Sequence, residues 1–104
     1  MEHAVIVRLR LSDDAFGSDE DREAMDRLEE ELIVAIEEAD AGEFDGMETG
    51  QGEYVFFMYG PDADRLFKAV EPALRASPAT RGGFAVKRYG EATDPTAKEV
   101  RVDL

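Results

Sequence analysis

Between Glu53 and Gly60 the chain passes through six consecutive residues with no charged or amide side chain, Tyr54-Val55-Phe56-Phe57-Met58-Tyr59. A run this short, this aromatic and partly β-branched reads as a strand. Gly50-Gln51-Gly52 supplies a hairpin turn before it, and Gly60-Pro61 closes it. A strand with one face in water alternates apolar with polar residues. This one does not, so apolar surface is expected on both of its faces: Tyr54, Phe56 and Met58 on one, Val55, Phe57 and Tyr59 on the other. One set must meet the helices, and the other needs a cover of its own. The pattern is the same whichever way the strand is turned, so the choice stays open.

The rest of the chain supplies the partners of that strand. Val5, Val7, Leu9 and Leu11 alternate with Ile6, Arg8 and Arg10, the period of a half-buried strand. After Ser12 to Gly17, the segment Ser18-Asp19-Glu20-Asp21 offers a capping start for a helix. Met25, Leu28, Leu32, Ile36 and Ala39 then recur every three or four residues and form one apolar stripe, with Glu29, Glu30, Glu37 and Glu38 pointing away. Gly42 is the expected helix stop. Phe44 to Thr49 reads as a second strand and the aromatic run as the third. Pro61 is expected at the first position of a second helix, whose stripe is Leu66, Phe67, Val70 and Leu74, with a kink or tightening at residues 68–71 caused by Pro72. Gly83 to Tyr89 and Val100 to Leu104 complete the order βαββαββ. The fold expected is α+β: a single ferredoxin-like domain over residues 1–104, βαββαβ with an additional C-terminal strand and two helices on one face of an antiparallel sheet.

Charge and composition narrow the functions open to such a domain. The net charge is −13. Residues 1–53 hold 18 of the 25 acids and 4 of the 12 bases, so they carry −14 and the remainder +1. A phosphate backbone is repelled by such a half, which sets nucleic acid aside and makes any charged macromolecular partner a basic protein. An RNA-recognition motif shares this topology and stacks bases on aromatics of the third strand. Here Val55 stands where that motif has a small residue, Glu53 precedes the run, and Ile6 replaces a useful aromatic. With no cysteine there is no disulfide, thiolate nucleophile or cysteine-ligated metal. The first residues lack a basic leader and Arg8 and Arg10 interrupt the apolar run, so the expectation is a cytoplasmic protein with no signal peptide and no membrane span.

The chemical inventory is thin. The single histidine, His3, is expected to be an exposed terminal residue without partners, which removes a catalytic triad and a histidine zinc site. Ser12, Ser18 and Ser77 sit in loops or caps, and no nucleophile elbow or phosphate-binding glycine loop occurs. Asp13-Asp14, Asp19 to Asp21 and Asp62-Ala63-Asp64 lack the alternating spacing of a calcium loop. No cofactor and no metal are expected.

Three blocks, Gly42-Glu43-Phe44-Asp45-Gly46, Tyr59-Gly60-Pro61-Asp62-Ala63-Asp64 and Arg88-Tyr89-Gly90, resemble those of a family of small bacterial proteins that carry them in this order. The resemblance spans most of residues 42–104 and implies the same fold and a bacterial cytoplasmic setting; it brings no activity with it. Glu43 to Met47 is also locally similar to a segment of the acidic, ferredoxin-like ribonuclease E regulator B proteins, which there follows the other helix.

The function expected is therefore a non-enzymatic protein-interaction or regulatory module that forms a homodimer through the sheet face opposite the helices. The alternative is a small-molecule binder or enzyme using that face or a dimer cavity. Candidate contacts on the sheet are Arg8, Arg10, Tyr54, Phe56, Met58 and Tyr89.

Overall fold

The structure is a computed structural model that describes residues 2–10 and 19–104. Leu11, Ser12, Asp13, Asp14, Gly17 and Ser18, with the strand-end, loop and capping roles expected of them, lie outside the described residues. Strand β1 (His3–Arg10) is followed by helix α1 (Asp19–Ala39), strands β2 (Glu43–Gly50) and β3 (Glu53–Gly60), helix α2 (Ala63–Ala76), a 3₁₀ turn at Pro78–Thr80, and strands β4 (Phe84–Arg88) and β5 (Glu99–Asp103). The protein is α+β, with two helices and a five-stranded antiparallel sheet in the order β2-β3-β1-β4-β5, compatible with a ferredoxin-like arrangement.

Register decides which side of β3 meets the helices. Val5, Val7 and Leu9 of β1 lie opposite Met58, Phe56 and Tyr54 of β3, and both sets join Met25, Leu28, Leu32, Ile36, Leu66, Val70 and Leu74 in one buried cluster. Because strand side chains alternate, Ile6, Val55, Phe57, Tyr59, Phe84 and Val86 then fall on the opposite face. The stripes read from the sequence in both helices are the ones buried, except that Ala39 at the end of α1 is half-buried.

Three local expectations are corrected. Helix α1 is stopped by Asp40 and not by Gly42: Asp40 adopts φ 47°, its N–H donates to the Glu37 carbonyl, and the Ala41 N–H donates to the Ile36 carbonyl. That pair of bonds is a Schellman motif with an aspartate in the left-handed position. Gly42, at φ 147°, answers a different need, since a Cβ there would run into the Tyr59 carbonyl, while one on Gly60 would run into the Ala41 carbonyl. In α2, Pro61 precedes the helix and Asp62 is the N-cap, accepting at Oδ1 from the N–H groups of Asp64 (3.0 Å) and Arg65 (3.3 Å). Residues 68–71 stay α-helical through Pro72 instead of tightening.

The β2–β3 hairpin turns on Gln51 (φ 53°) and Gly52 (φ 81°), two positive angles that match the right-handed twist of the strands. Asp45 is an extra residue in β2, a bulge that kinks this edge strand. At the other edge β5 pairs with β4, Val102 opposite Ala85, so the C-terminal strand widens the sheet and does not fold across its face.

Candidate functional site

The residues singled out on the sheet divide among three places. Tyr54, Phe56 and Met58 are 2%, 0% and 0% exposed beneath the helices and belong to the core, a correction to their expected place on a binding face. Arg8 and Arg10 share the open face, where Arg8 Nη1 reaches Glu53 Oε1 at 3.1 Å. Tyr89 lies on the helix side at the far end of the sheet. The six form no common site, because a strand period of two sends the odd residues of β1 and the even residues of β3 to the helices and Arg8 and Arg10 away from them.

The open face is an apolar band with charged margins. Ile6, Val55, Phe57, Tyr59, Phe84 and Val86 run across the three inner strands, and among the described residues no helix or strand packs over them. On the β2 side stand Glu43 and Glu48. On the β5 side Arg101 lies over the Phe84 ring, 3.8 Å from its centroid, and pairs with Asp103 at 2.9 Å. Arg88 holds one corner: its guanidinium donates to the carbonyls of Glu91, Ala92 and Asp94 and to Glu99 Oε2, tying the β4–β5 connection to the strand it leaves.

The segments 42–46, 59–64 and 88–90 meet at one end of the sheet, where Gly42 crosses Gly60 and the Tyr89 hydroxyl donates to Asp64 Oδ1 at 2.5 Å. Lys87 Nζ donates to the same oxygen at 3.0 Å and sits over the Phe67 ring. His3, expected to be loose, is instead built in. Its Nδ1 accepts from the Ala63 N–H at 3.0 Å, and its ring meets Tyr89 edge-on. The bonds to Tyr89 and Lys87 hold the Asp64 carboxyl below the usual carboxylate range. The same bonds raise the Tyr89 phenol and the Lys87 ammonium. This cluster clamps the start of α2 to the ends of β1 and β4.

On the helix side, at the hairpin end, the Tyr54 hydroxyl is buried without a hydrogen-bond partner. The Tyr54 side chain borders a cleft of about 330 Å³ together with Arg22 and Asp26 of α1 and Met47 and Thr49 of β2. Burial raises the phenol, and the neighbouring Arg22 guanidinium opposes that rise. Sequence reasoning placed Tyr54 among candidate contacts for its aromatic ring; nothing in the sequence marks the hydroxyl as unpaired. A second groove, about 600 Å³ between α1 and α2, has Val34 (51% exposed), Ala35 and Ala73 along its floor and Glu30, Glu31 and Glu38 on its walls. Among the described residues no His, Asp and Glu side chains gather three together as a metal site, and no helix is long and apolar enough to cross a membrane.

Against known proteins the chain has no match: no family model, no curated sequence and no solved structure corresponds to it.

Proposed function

We propose that this chain is a non-enzymatic interaction module, a ferredoxin-like unit widened by a fifth strand, that works as a homodimer joined through its open sheet face. The observation that carries the reading is the band of half-buried Ile6, Phe57, Tyr59, Phe84 and Val86 around the buried Val55, continuous across β3, β1 and β4. A contiguous apolar patch of this kind on a protein surface marks an interface. Among the described residues the fifth strand could have covered it, and it lies at the sheet edge instead.

Charge bears on how two copies sit in such a dimer. The margins differ: Glu43 and Glu48 make the β2 margin negative, while along β5 and β4 Arg101 is balanced by Asp103 and Arg88 by Glu99. A two-fold axis parallel to the strands sets the β2 margin of each copy against the β5 margin of the other, whereas an axis across the strands sets β2 against β2 and opposes like charges. The first packing stacks β1 on β1, with Ile6 near the axis and the aromatic residues of β3 and β4 interleaved around it.

Light scattering at micromolar concentration tests the reading. The expected mass is twice that of the 11.5 kDa chain. Phe57→Glu should give a folded monomer by circular dichroism, since Phe57 contributes to the open face and not to the core. A wild-type mass that stays at one chain on concentration sinks the homodimer.

A further inference from the structure

We infer that the trough between α1 and α2 docks an amphipathic helix of a basic protein partner, one whose apolar stripe is flanked by Lys or Arg. The inference begins with Val34. Among the described residues it is the large apolar side chain left exposed, at 51%. It is also β-branched and lies inside α1, where a branched side chain favours the helix less than alanine does. A lone exposed valine would mean little. This one stands at the rim of a trough with an apolar floor.

The shape of the trough defines what fits it. Ala35 and Ala73 lie beside Val34 in a hollow of about 600 Å³, and Ala24 and Ala76 line a second of about 480 Å³. Arg27 and Glu31 border both, so the two run together along the α1–α2 seam. From Ala24 to Glu38 that seam is about 21 Å long, roughly four turns of helix. Alanines on its floor let another backbone come close. The walls are helices whose interior backbone groups are already bonded, so an extended segment laid on the alanines would leave its own N–H and C=O groups unmet. A helix brings those bonds with it.

Charge selects the helix. Glu30 and Glu38 stand one turn to either side of Val34 on the same row of α1, and Glu31 lines the seam beside them. Among the described residues none of these three glutamates is ion-paired, and Arg27 is the cation set against them in the lining. An acid–apolar–acid row is complemented by an apolar side chain with a Lys or Arg one turn away on each side. The same acids repel an anionic membrane or a nucleic acid. The helices cover one face of the sheet and the dimer band lies on the other, so docking and dimerisation hold or fail independently.

The probe is a synthetic helix of about 15 residues, the length of the trough, built from Leu, Ala and Lys with one leucine stripe and lysines one turn to either side. A peptide of the same composition in scrambled order is its control. In an NMR titration of the full chain, the striped peptide should shift the Val34 and Ala73 methyl resonances saturably, and the scrambled one should bind about tenfold more weakly or worse. Val34→Ser should weaken the striped peptide about fivefold. Glu38→Lys should do the same, whereas Glu37→Lys, an equal charge change one residue away and outside the lining, should weaken it less than about twofold. All three positions are exposed, so the variants fold as the wild type does. The proposal is overturned if the striped peptide gives no saturable shift, if the scrambled peptide binds as tightly, if the two lysine variants weaken binding equally, or if the shifts fall on Phe57 and Val86 instead. A lower light-scattering mass for free Val34→Ser than for wild type also overturns it, since a second copy would then be the occupant of the trough.

Discussion

Single residues carry the clamp at the start of α2, and their protonation gives it a pH window. Asp64 is held below its unfolded value of about 3.9, chiefly by the Tyr89 hydroxyl and then by Lys87, so its contribution is present above that value and is lost as pH falls through the folded one. Tyr89 and Lys87 are raised above unfolded values near 10 and 10.4, so their contribution is present below pH 10 and is lost as pH rises beyond it. Tyr89→Phe should therefore lower the denaturation midpoint by a constant amount between about pH 5 and pH 9, and the gap from wild type should narrow at both extremes. Urea titrations across that range measure it; a gap as wide at pH 3 as at pH 7 would remove Asp64 from the account. The same cluster shows where single-residue reading of the sequence stops. His3 looks like a loose end because its backbone partner, Ala63, lies 60 residues away, and no local pattern announces a contact of that span.

Elements were far more legible, since periods of two and of three to four are visible in any short window. Val5, Val7 and Leu9 were readable as one buried face, and Met25, Leu28, Leu32 and Ile36 as one helical stripe, because each set is flanked by charges that cannot be buried with it. The same logic gave no answer on β3. Both of its faces are apolar, and only pairing with β1, Val7 opposite Phe56, selects the inner set. Helix stops were misread for a similar reason: glycine is the usual left-handed residue, and here Asp40 takes that role while Gly42 is reserved for the close crossing with Gly60. Helix α2 holds a clear opportunity for stabilisation. Pro72 is exposed within a helix that continues through it, and the Lys68 carbonyl loses the donor that any other residue would offer. Pro72→Ala should stabilise the fold by about 1 to 3 kcal/mol, read as a higher urea midpoint at unchanged slope. A neutral or lower midpoint would mean that the proline is needed to shape α2 against its neighbours.

For the molecule as a whole, charge sets the conditions under which two copies can meet. Each brings −13, and the acids are concentrated in residues 1–53, so association works against a repulsion that salt screens. Raising ionic strength from about 0.02 M to 0.5 M should tighten the dimer by about tenfold or more, as the screening length falls well below the size of the domain. Sedimentation at the two salt concentrations checks this, and dissociation at high salt would point to an interface held by ion pairs instead of the apolar band. The sheet order has a consequence of a different kind, in the time during which the chain is made. Strand β1 comes early and ends at Arg10, yet it occupies the centre of the finished sheet, between β3 and β4, and β4 is complete only at Arg88. At the pace of synthesis, those 78 residues take roughly 4 to 16 seconds. Through that interval β1 leaves the ribosome with at least one hydrogen-bonding edge unfilled, so the step most exposed to misassociation is the wait of the innermost strand for its last neighbour.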